Sequence, residues 1–347
     1  MSEVNGRKAA HNDREDRVFG LDNTSVLHIP VKNGPISDIG ISPDGSRLIV
    51  TNYGRDTVSV IDTHTYRVST TGLHEPFAVA VSDGVPTRAY LSTASRAYDT
   101  VDVIDVASNT RIATYPLALS VSDVTVNADG SRVYVTRNGS RGADVAVLDT
   151  SKDQVQVVEL ATGPGATAEC VRISPDGGRL YVGVNRPWGG HLAVVETRAR
   201  PRGGRFPIVA TIELGLRVRD VALSDDGATA YVAGCGPVVG AVLDVVDTRA
   251  NKITSTRKIS EIAGPLTRLA LSSDGSRAYL VSDDRITVLC TRTQDVIGDV
   301  GVVRHPSCAV ESPDGRYLYI ADYSGVITVA PVASSTRLLP AALAANC

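Results

Sequence analysis

Three aspartates, Asp38, Asp123 and Asp220, each stand four residues before a copy of the same short turn. Carboxylate oxygens are the ligands that Ca²⁺ and Mg²⁺ prefer, so three acids at equivalent positions could hold one hard cation. Alternatively, each carboxylate bonds the backbone at the start of its own strand. We expect this second arrangement, because repeats set equivalent residues far apart, and we predict neither a metal nor another cofactor.

The three aspartates belong to a ring of seven equivalent positions that we expect at the mouth of a central channel. The other members of this ring are Ala78, Cys170, Arg268 and Cys308. Cys170 and Cys308 come from repeats that are three apart, so we do not expect their thiols to share a metal.

A second group of candidates is rich in arginine and contains the only tryptophan of the chain. Tryptophan and arginine often anchor protein interfaces. We therefore predict a ligand or partner surface that consists of Arg137, Arg141, Arg186, Trp188, His191, Arg219, Arg268 and His305. Two alternatives stay open here: Trp188 folds back over a groove between repeats, or the arginines pair with nearby acids such as Glu169.

Catalysis would need an acid, a base and a nucleophile close together, and the sequence indicates no such set. Asp38 and His305 could serve a hydrolase or lyase as a carboxylate and a histidine at the channel mouth. The chain has no Gly-Lys-Ser/Thr phosphate loop, no His-Glu-x-x-His motif and no nucleophile elbow. We predict no catalytic residue, and we expect Glu311, which replaces an apolar residue of the other repeats, to bond an arginine or lie at a strand edge.

The candidate residues must be positioned by a repeated structure, since the chain contains seven near-copies of the motif Ser-Pro-Asp-Gly. The copies end at Gly45, Gly84, Gly130, Gly177, Gly227, Gly275 and Gly315, which gives a mean period of (315 − 45)/6 = 45 residues. Proline presets φ, aspartate bonds its own backbone and glycine supplies a positive φ, so the phrase closes a tight hairpin. This period, with four strands in each unit, predicts an all-β, seven-bladed β-propeller.

The last repeat has no clear fourth strand, whereas residues 25–30 form an unassigned strand ahead of the first repeat. We predict that this N-terminal strand completes the last blade, because closure removes two exposed sheet edges. The expected organisation is a flexible tail at 1–20, one propeller domain at 21–333 and a C-terminal tail at 334–347.

Charge and composition exclude several classes of partner. The chain has 35 basic and 38 acidic residues and a formal charge of −3, so it offers no electrostatic basis for nucleic-acid binding. No stretch is apolar enough for a signal peptide or a membrane span. Five widely spaced cysteines argue against a disulfide framework and for a reducing compartment. We expect a cytoplasmic monomer.

The strand after each turn carries a recurring motif. It reads Tyr134-Val135-Thr136-Arg137, Leu48-Ile49-Val50-Thr51-Asn52 and Tyr181-Val182-Gly183-Val184-Asn185. These strands resemble the Tyr-Val-Thr-Asn (YVTN) repeat family of prokaryotic seven-bladed propellers, over about nine tenths of the chain. That family includes surface-layer proteins, scaffolds and cytoplasmic members. The Val- and Arg-rich composition also resembles actinobacterial propellers, some of which accompany cell-envelope transport machinery.

The length is similar to that of cytoplasmic propeller lactonases, which hydrolyse 6-phosphogluconolactone and carry a Gly-Pro-Arg-His motif. The comparable loops here read Gly163-Pro164-Gly165-Ala166, Gly264-Pro265-Leu266-Thr267 and Arg304-His305-Pro306-Ser307, so the Arg-His pair is absent or displaced. We therefore predict a non-catalytic scaffold or accessory protein that binds a protein partner, or a small ligand, on its loop-rich channel face. Association with a membrane complex stays open, and a lactonase-type hydrolase is the alternative.

Overall fold

The structure is a computed structural model. It describes residues 26–95, 98–118, 120–198, 206–236, 239–262, 264–301 and 305–332. The predicted tails at 1–20 and 334–347 lie outside the described residues, as does Arg304.

The repeated phrase forms a hairpin turn in which serine and aspartate cooperate. In the first copy, Ser42 Oγ donates to Asp44 Oδ1 at 2.5 Å and Gly45 N donates to Ser42 O at 2.8 Å. Gly45 has a φ of +71°, in the left-handed region that glycine adopts readily. The same serine–aspartate bond recurs at Ser174, Ser224, Ser272 and Ser312. Five of the seven turns therefore lead into the second strand of their blade in the same way.

The strands form seven antiparallel sheets of four, and the first strand of each sheet lines a central channel. The chain begins with β1 (Leu27–Pro30). Blade one comprises β2 (Asp38–Ile41), β3 (Arg47–Asn52), β4 (Thr57–Asp62) and β5 (Val68–Gly72), with a short 3₁₀ turn at Tyr53–Arg55. Blade two comprises β6 (Pro76–Val81), β7 (Arg88–Thr93), β8 (Asp99–Asp105) and β9 (Thr110–Leu117). Blade three comprises β10 (Ser120–Val126), β11 (Arg132–Gly139), β12 (Gly142–Asp149) and β13 (Gln154–Thr162).

The remaining blades repeat this plan. Blade four comprises β14 (Thr167–Ile173), β15 (Arg179–Arg186), β16 (Gly189–Glu196) and β17 (Ile208–Leu214). Blade five comprises β18 (Arg217–Leu223), β19 (Thr229–Gly236), β20 (Gly240–Asp247) and β21 (Lys252–Ile259). Blade six comprises β22 (Leu266–Leu271), β23 (Arg277–Ser282), β24 (Arg285–Cys290) and β25 (Val296–Gly301). Blade seven comprises β26 (Pro306–Glu311), β27 (Tyr317–Asp322) and β28 (Val326–Pro331).

The N-terminal strand closes the ring, as predicted. β1 pairs antiparallel with β28, from Leu27 opposite Val329 to Pro30 opposite Val326, and so becomes the fourth strand of blade seven. Ile29 is buried against the closing blade. The first and last parts of the described chain therefore meet in one sheet.

Apolar residues fill the interfaces between neighbouring blades. Tyr134, Leu180 and Val182 belong to one cluster that joins blades three and four. Packing is tight at Gly183, where an added Cβ would lie 2.6 Å from Val218 Cγ1 and 2.7 Å from Cys170 Sγ. Buried tyrosines also connect neighbouring blades. Tyr90 Oη, for example, donates a hydrogen bond to Gly130 O of the next blade at 3.0 Å. These contacts hold the inner strands, and with them the channel residues, at fixed positions.

The part of the chain that the structure describes contains no helix that could cross a membrane. Cys170, Cys235 and Cys308 have free thiols. Cys290 is disulfide-bonded. One bonded cysteine among the four that the structure describes is not a disulfide framework, and the reducing compartment stays a prediction.

Candidate functional site at the channel mouth

The three ring aspartates each join their own blade to the next one. The inner strand of the following blade donates a backbone N–H to one oxygen of each carboxylate, at distances of 2.9–3.0 Å. The donors are Val79 to Asp38 Oδ2, Val171 to Asp123 Oδ2 and Leu269 to Asp220 Oδ2. Asp38 and Asp220 also accept from the N–H of the residue that follows them, at 3.0 and 2.9 Å. The carboxylates thus bond backbone groups, those of a neighbouring blade included.

Two arginines complete a chain of five charged groups across the channel. Arg172 Nη1 lies 2.6 Å from Asp123 Oδ2, and its Nη2 lies 2.6 Å from Asp220 Oδ1. Arg268 Nη2 lies 3.1 Å from Asp38 Oδ2, and its Nη1 lies 4.0 Å from Asp123 Oδ1. We call these five residues the channel pentad. Three carboxylates and two guanidinium groups give it a formal charge of −1.

The pentad is largely withdrawn from water. The Asp123 and Asp220 side chains are 3% and 1% exposed. Burial raises the pKa of Asp38, against the lowering effect of Arg268. Burial also raises the pKa of the Cys170 and Cys308 thiols, so neither cysteine has thiolate character at neutral pH. The ring therefore carries carboxylates held in ion pairs and inert thiols, an arrangement suited to holding blades together.

Arg172 is the pentad member that sequence reasoning missed. It lies two residues after the ring position, where the other inner strands have Gly40, Ala80, Thr125, Ala222, Ala270 and Val310. A cation in a column of small and uncharged residues was the signal that could have found it.

A cavity of about 290 Å³ adjoins the pentad inside the channel. Its remaining walls are mostly apolar and include Ile39, Val79, Val124, Leu269 and Val310. Among the described residues, no group of three His, Cys, Asp or Glu side chains is placed to hold a metal ion. The space therefore offers apolar walls and one ion-paired surface.

The mouth of the channel combines aromatic rings with paired charges. Phe77 and Tyr323 are 47% and 46% exposed. Arg219 Nη1 lies 3.0 Å from Glu169 Oε1, and its Nε donates to Leu266 O at 3.1 Å. Burial is the main cause that raises the pKa of Tyr323, and the nearby Cys308 raises it further. Arg219 thus has Glu169 as its acid partner, which is one of the alternatives that the sequence left open. The Phe77 and Tyr323 rings remain exposed to solvent.

Exposed aromatic residues gather on this face. Of the six exposed aromatic residues in the described parts of the chain, five lie in second-to-third strand connections or at the mouth: Tyr53, Phe77, Tyr98, Trp188 and Tyr323. We call these five the mouth-face aromatics. The sixth, Tyr317, follows an Asp-Gly turn and lies on the opposite face. Trp188 is 79% exposed, so it does not cover a groove between blades.

Other residues of the predicted surface lie inside the blades. Arg137 is 6% exposed and forms a two-pronged ion pair with Asp144, at 2.7 Å from Nε and 3.1 Å from Nη2. His191 is 2% exposed and its Nδ1 has no hydrogen-bond partner. Burial, then the nearby Arg186 charge, lowers the pKa of His191.

The reason for this burial is the length of the hairpins. Arg137 and His191 were predicted to lie on a binding surface, but they are strand residues, because β11–β12 and β15–β16 extend until only two residues connect each pair. At the hairpin ends, Arg141 is exposed, and Arg186 lies 3.9 Å from Glu213 Oε1.

Glu311 and the candidate catalytic pair, Asp38 and His305, also form contacts within the protein. Glu311 accepts hydrogen bonds from Tyr279 Oη, from Ser273 N at 3.1 Å and from Ser273 Oγ at 3.0 Å. These partners are not the expected arginine. They belong to blade six, so Glu311 connects blades six and seven. His305 Nδ1 lies 3.1 Å from Asp283 O, while Asp38 bonds Arg268 and backbone groups. No hydrogen bond joins Asp38 to His305, and the structure describes both residues.

Seven four-stranded blades around a channel define a class, and the chain belongs to the family of seven-bladed β-propeller proteins. It is 54% identical over 363 residues to the seven-bladed beta-propeller protein Rv1057 of Mycobacterium tuberculosis (strain ATCC 25618 / H37Rv). That alignment covers 96% of this chain and 92% of the relative. No family model matches the chain.

A solved structure shares the architecture. Hydrazine synthase of Kuenenia stuttgartiensis superposes with a TM-score of 0.75, over 87% of this chain and 97% of that one. The sequences are 20% identical, so this likeness concerns the fold alone.

Proposed function

We propose that this propeller is a non-catalytic scaffold or accessory protein that binds a protein partner through its mouth face. The observation that carries the proposal is the gathering of the mouth-face aromatics, five of the six exposed aromatic residues in the described chain. Tyrosine and tryptophan are among the residues enriched at the energetic centres of interfaces. Aromatic side chains left in water on one face gain most when a partner covers them.

The charges of this face support a protein partner over a highly charged ligand. Arg219 is neutralised by Glu169, and Arg186 lies within reach of Glu213. The pentad beneath the mouth has its cations paired with carboxylates. A surface of aromatic rings with balanced charge matches the composition of ordinary protein interfaces. The resemblance to actinobacterial propellers makes components of cell-envelope transport machinery the first partners to test.

The test is affinity purification from an extract of the source organism, with bound proteins quantified by mass spectrometry. Tyr323→Ser and Trp188→Ser remove mouth-face aromatics, and Tyr317→Ser is the matched control in the same blade as Tyr323. We expect one set of proteins to be retained by the wild type and the control and lost from both mouth-face variants. Equal retention by all four proteins, each with an unchanged thermal midpoint, would refute the proposal.

A further inference from the structure

The outer strand of blade three is an unusually long free edge. β13 has nine residues, more than any other described strand, and it pairs only with β12. Its other edge presents backbone N–H and C=O groups to solvent, a template on which another strand can form. From Gln154 to Val157 every residue is exposed, with Val155 at 43% and Val157 at 47%.

The other outer strands carry the features that usually prevent such pairing, namely charge, proline or shortness. β9 has Arg111 and Pro116, β17 has Glu213, β21 has Lys252, Arg257 and Lys258, β25 has Asp299, β1 ends at Pro30, and β5 has only five residues. β13 carries one acid, Glu159, as β17 does, but it is two residues longer, and its segment Gln154-Val155-Gln156-Val157-Val158 has no charge and no proline. An uncharged, valine-rich edge of this kind favours strand addition.

We propose that a second copy of this chain pairs with β13, antiparallel and about a two-fold axis at Val157. In this register each of the seven residues from Gln154 to Leu160 lies opposite a residue of β13 in the second copy. Val157 faces the partner's Val157, and the single acid, Glu159, faces the partner's Val155 rather than another charge. The exposed valines of both copies then form one apolar strip on one face of the joined sheets.

The neighbouring registers are less favourable. An axis at Gln156 sets Asp153 against the partner's Glu159, and like charges directly opposite one another are destabilising. Asp153 also has a φ of 53°, so it belongs to the turn and not to the strand. An axis at Val155 brings this turn residue opposite the partner's Val157. An axis at Val158 sets Gln156 opposite Leu160, the bulged residue of β13, so only three residues stay in regular register. The axis at Val157 keeps this bulge at the end of the pairing, and this self-complementary register identifies a second copy as the occupant.

The pairing predicts a weak dimer. Stable interfaces commonly bury about 1,600 Å² in total, more than two seven-residue strands can cover alone. We therefore expect association that depends on concentration, in place of the monomer predicted from the sequence. Because β13 is an outer strand, the dimer leaves both mouth faces free, so this inference does not depend on the proposed function.

Sedimentation velocity over a micromolar-to-millimolar series tests the dimer. We expect Val157→Lys to raise the dissociation constant at least about tenfold, because it sets two lysines opposite each other. Ile253→Lys, at a similarly exposed site on the outer strand of blade five, is the matched control and should dimerise like the wild type. A wild type that stays monomeric throughout, or a dimer unaffected by Val157→Lys, overturns the proposal.

The register has its own test, carried out in a Cys235→Ser background to remove a partly exposed thiol. Val157→Cys should form a covalent dimer on mild oxidation, visible on a non-reducing gel and lost on reduction. Ile253→Cys should not. Cross-linking of both variants to the same extent, or of neither, contradicts an axis at Val157.

Discussion

Arg268 Nη2 lies 3.1 Å from Asp38 Oδ2, although these residues belong to blades six and one, which are not neighbours in the ring. The Arg268 and Asp38 side chains are only 15% and 13% exposed. Arg268 also lies 4.0 Å from Asp123 of blade three, so its charge pairs span the channel, whereas the Arg172 pairs join adjacent sheets. Its energetic role can be measured directly.

Replacing Arg268 with methionine should leave Asp38 buried without its cation. Removing one partner of a buried ion pair costs about 3–5 kcal/mol, so we expect Arg268→Met to lower the free energy of unfolding in urea by that order. Arg316→Met removes an exposed arginine paired with Asp314 and should change it by no more than about 0.5 kcal/mol. Equal effects of the two changes would show that the pentad does not stabilise the ring.

The closing strand should be sensitive at its buried position and tolerant at its exposed one. Ile29 is 4% exposed and Leu27 is 40% exposed, on the same strand. We expect Ile29→Ala to destabilise the protein by about 2–4 kcal/mol and Leu27→Ala by much less, because only the former leaves a cavity. Thermal unfolding followed by circular dichroism measures both, and similar midpoints for the two variants would argue against closure by β1.

Adding a methyl group at Gly183 should disturb the interface between blades four and five. The new Cβ would lie 2.6 Å from Val218 Cγ1, and overpacking of this kind costs about 1–3 kcal/mol. Gly72→Ala is the control, because its Cβ would meet nothing within 4 Å. Urea unfolding should separate the two variants, and a neutral Gly183→Ala would mean that the neighbouring blade gives way easily.

Protonation of His191 should destabilise the fold in mild acid. Its folded-state pKa is lowered below the ordinary value of 6.5 by burial, so the unfolded chain takes up a proton that the folded protein resists. Stability is therefore retained above that value and falls as the pH drops below it. We expect the unfolding midpoint to fall less between pH 7 and pH 5 in His191→Gln than in the wild type. Parallel pH profiles would place His191 in a solvated setting.

The repeats made the architecture predictable because each turn carries its own local chemistry. Ser42, Asp44 and Gly45 close their hairpin through bonds among themselves, and the missing fourth strand of blade seven indicated β1. The ring position of Asp38 also followed from counting along the repeat. The YVTN relationship and the link to lactonases stay predictions.

The site was less predictable because it depends on contacts between blades. Arg172 could not be paired with Asp123 and Asp220 without knowing how far the channel walls stand apart. Arg137 and His191 were predicted to lie on a partner surface, and they are buried because the strands of their hairpins extend until only two residues connect them. Phe77 was missed because it lies within an inner strand, where an exposed aromatic residue is not expected.

The pairing of β1 with β28 has a consequence for how the protein is made. His28 Nδ1 lies 3.1 Å from Thr328 Oγ1, and these residues are 300 positions apart in the chain. At translation rates of about 5–20 residues per second, β1 leaves the ribosome roughly 15–60 s before its partner exists. β1, the first of the described strands to be synthesised, thus stays without its partner strand until the last blade has been made.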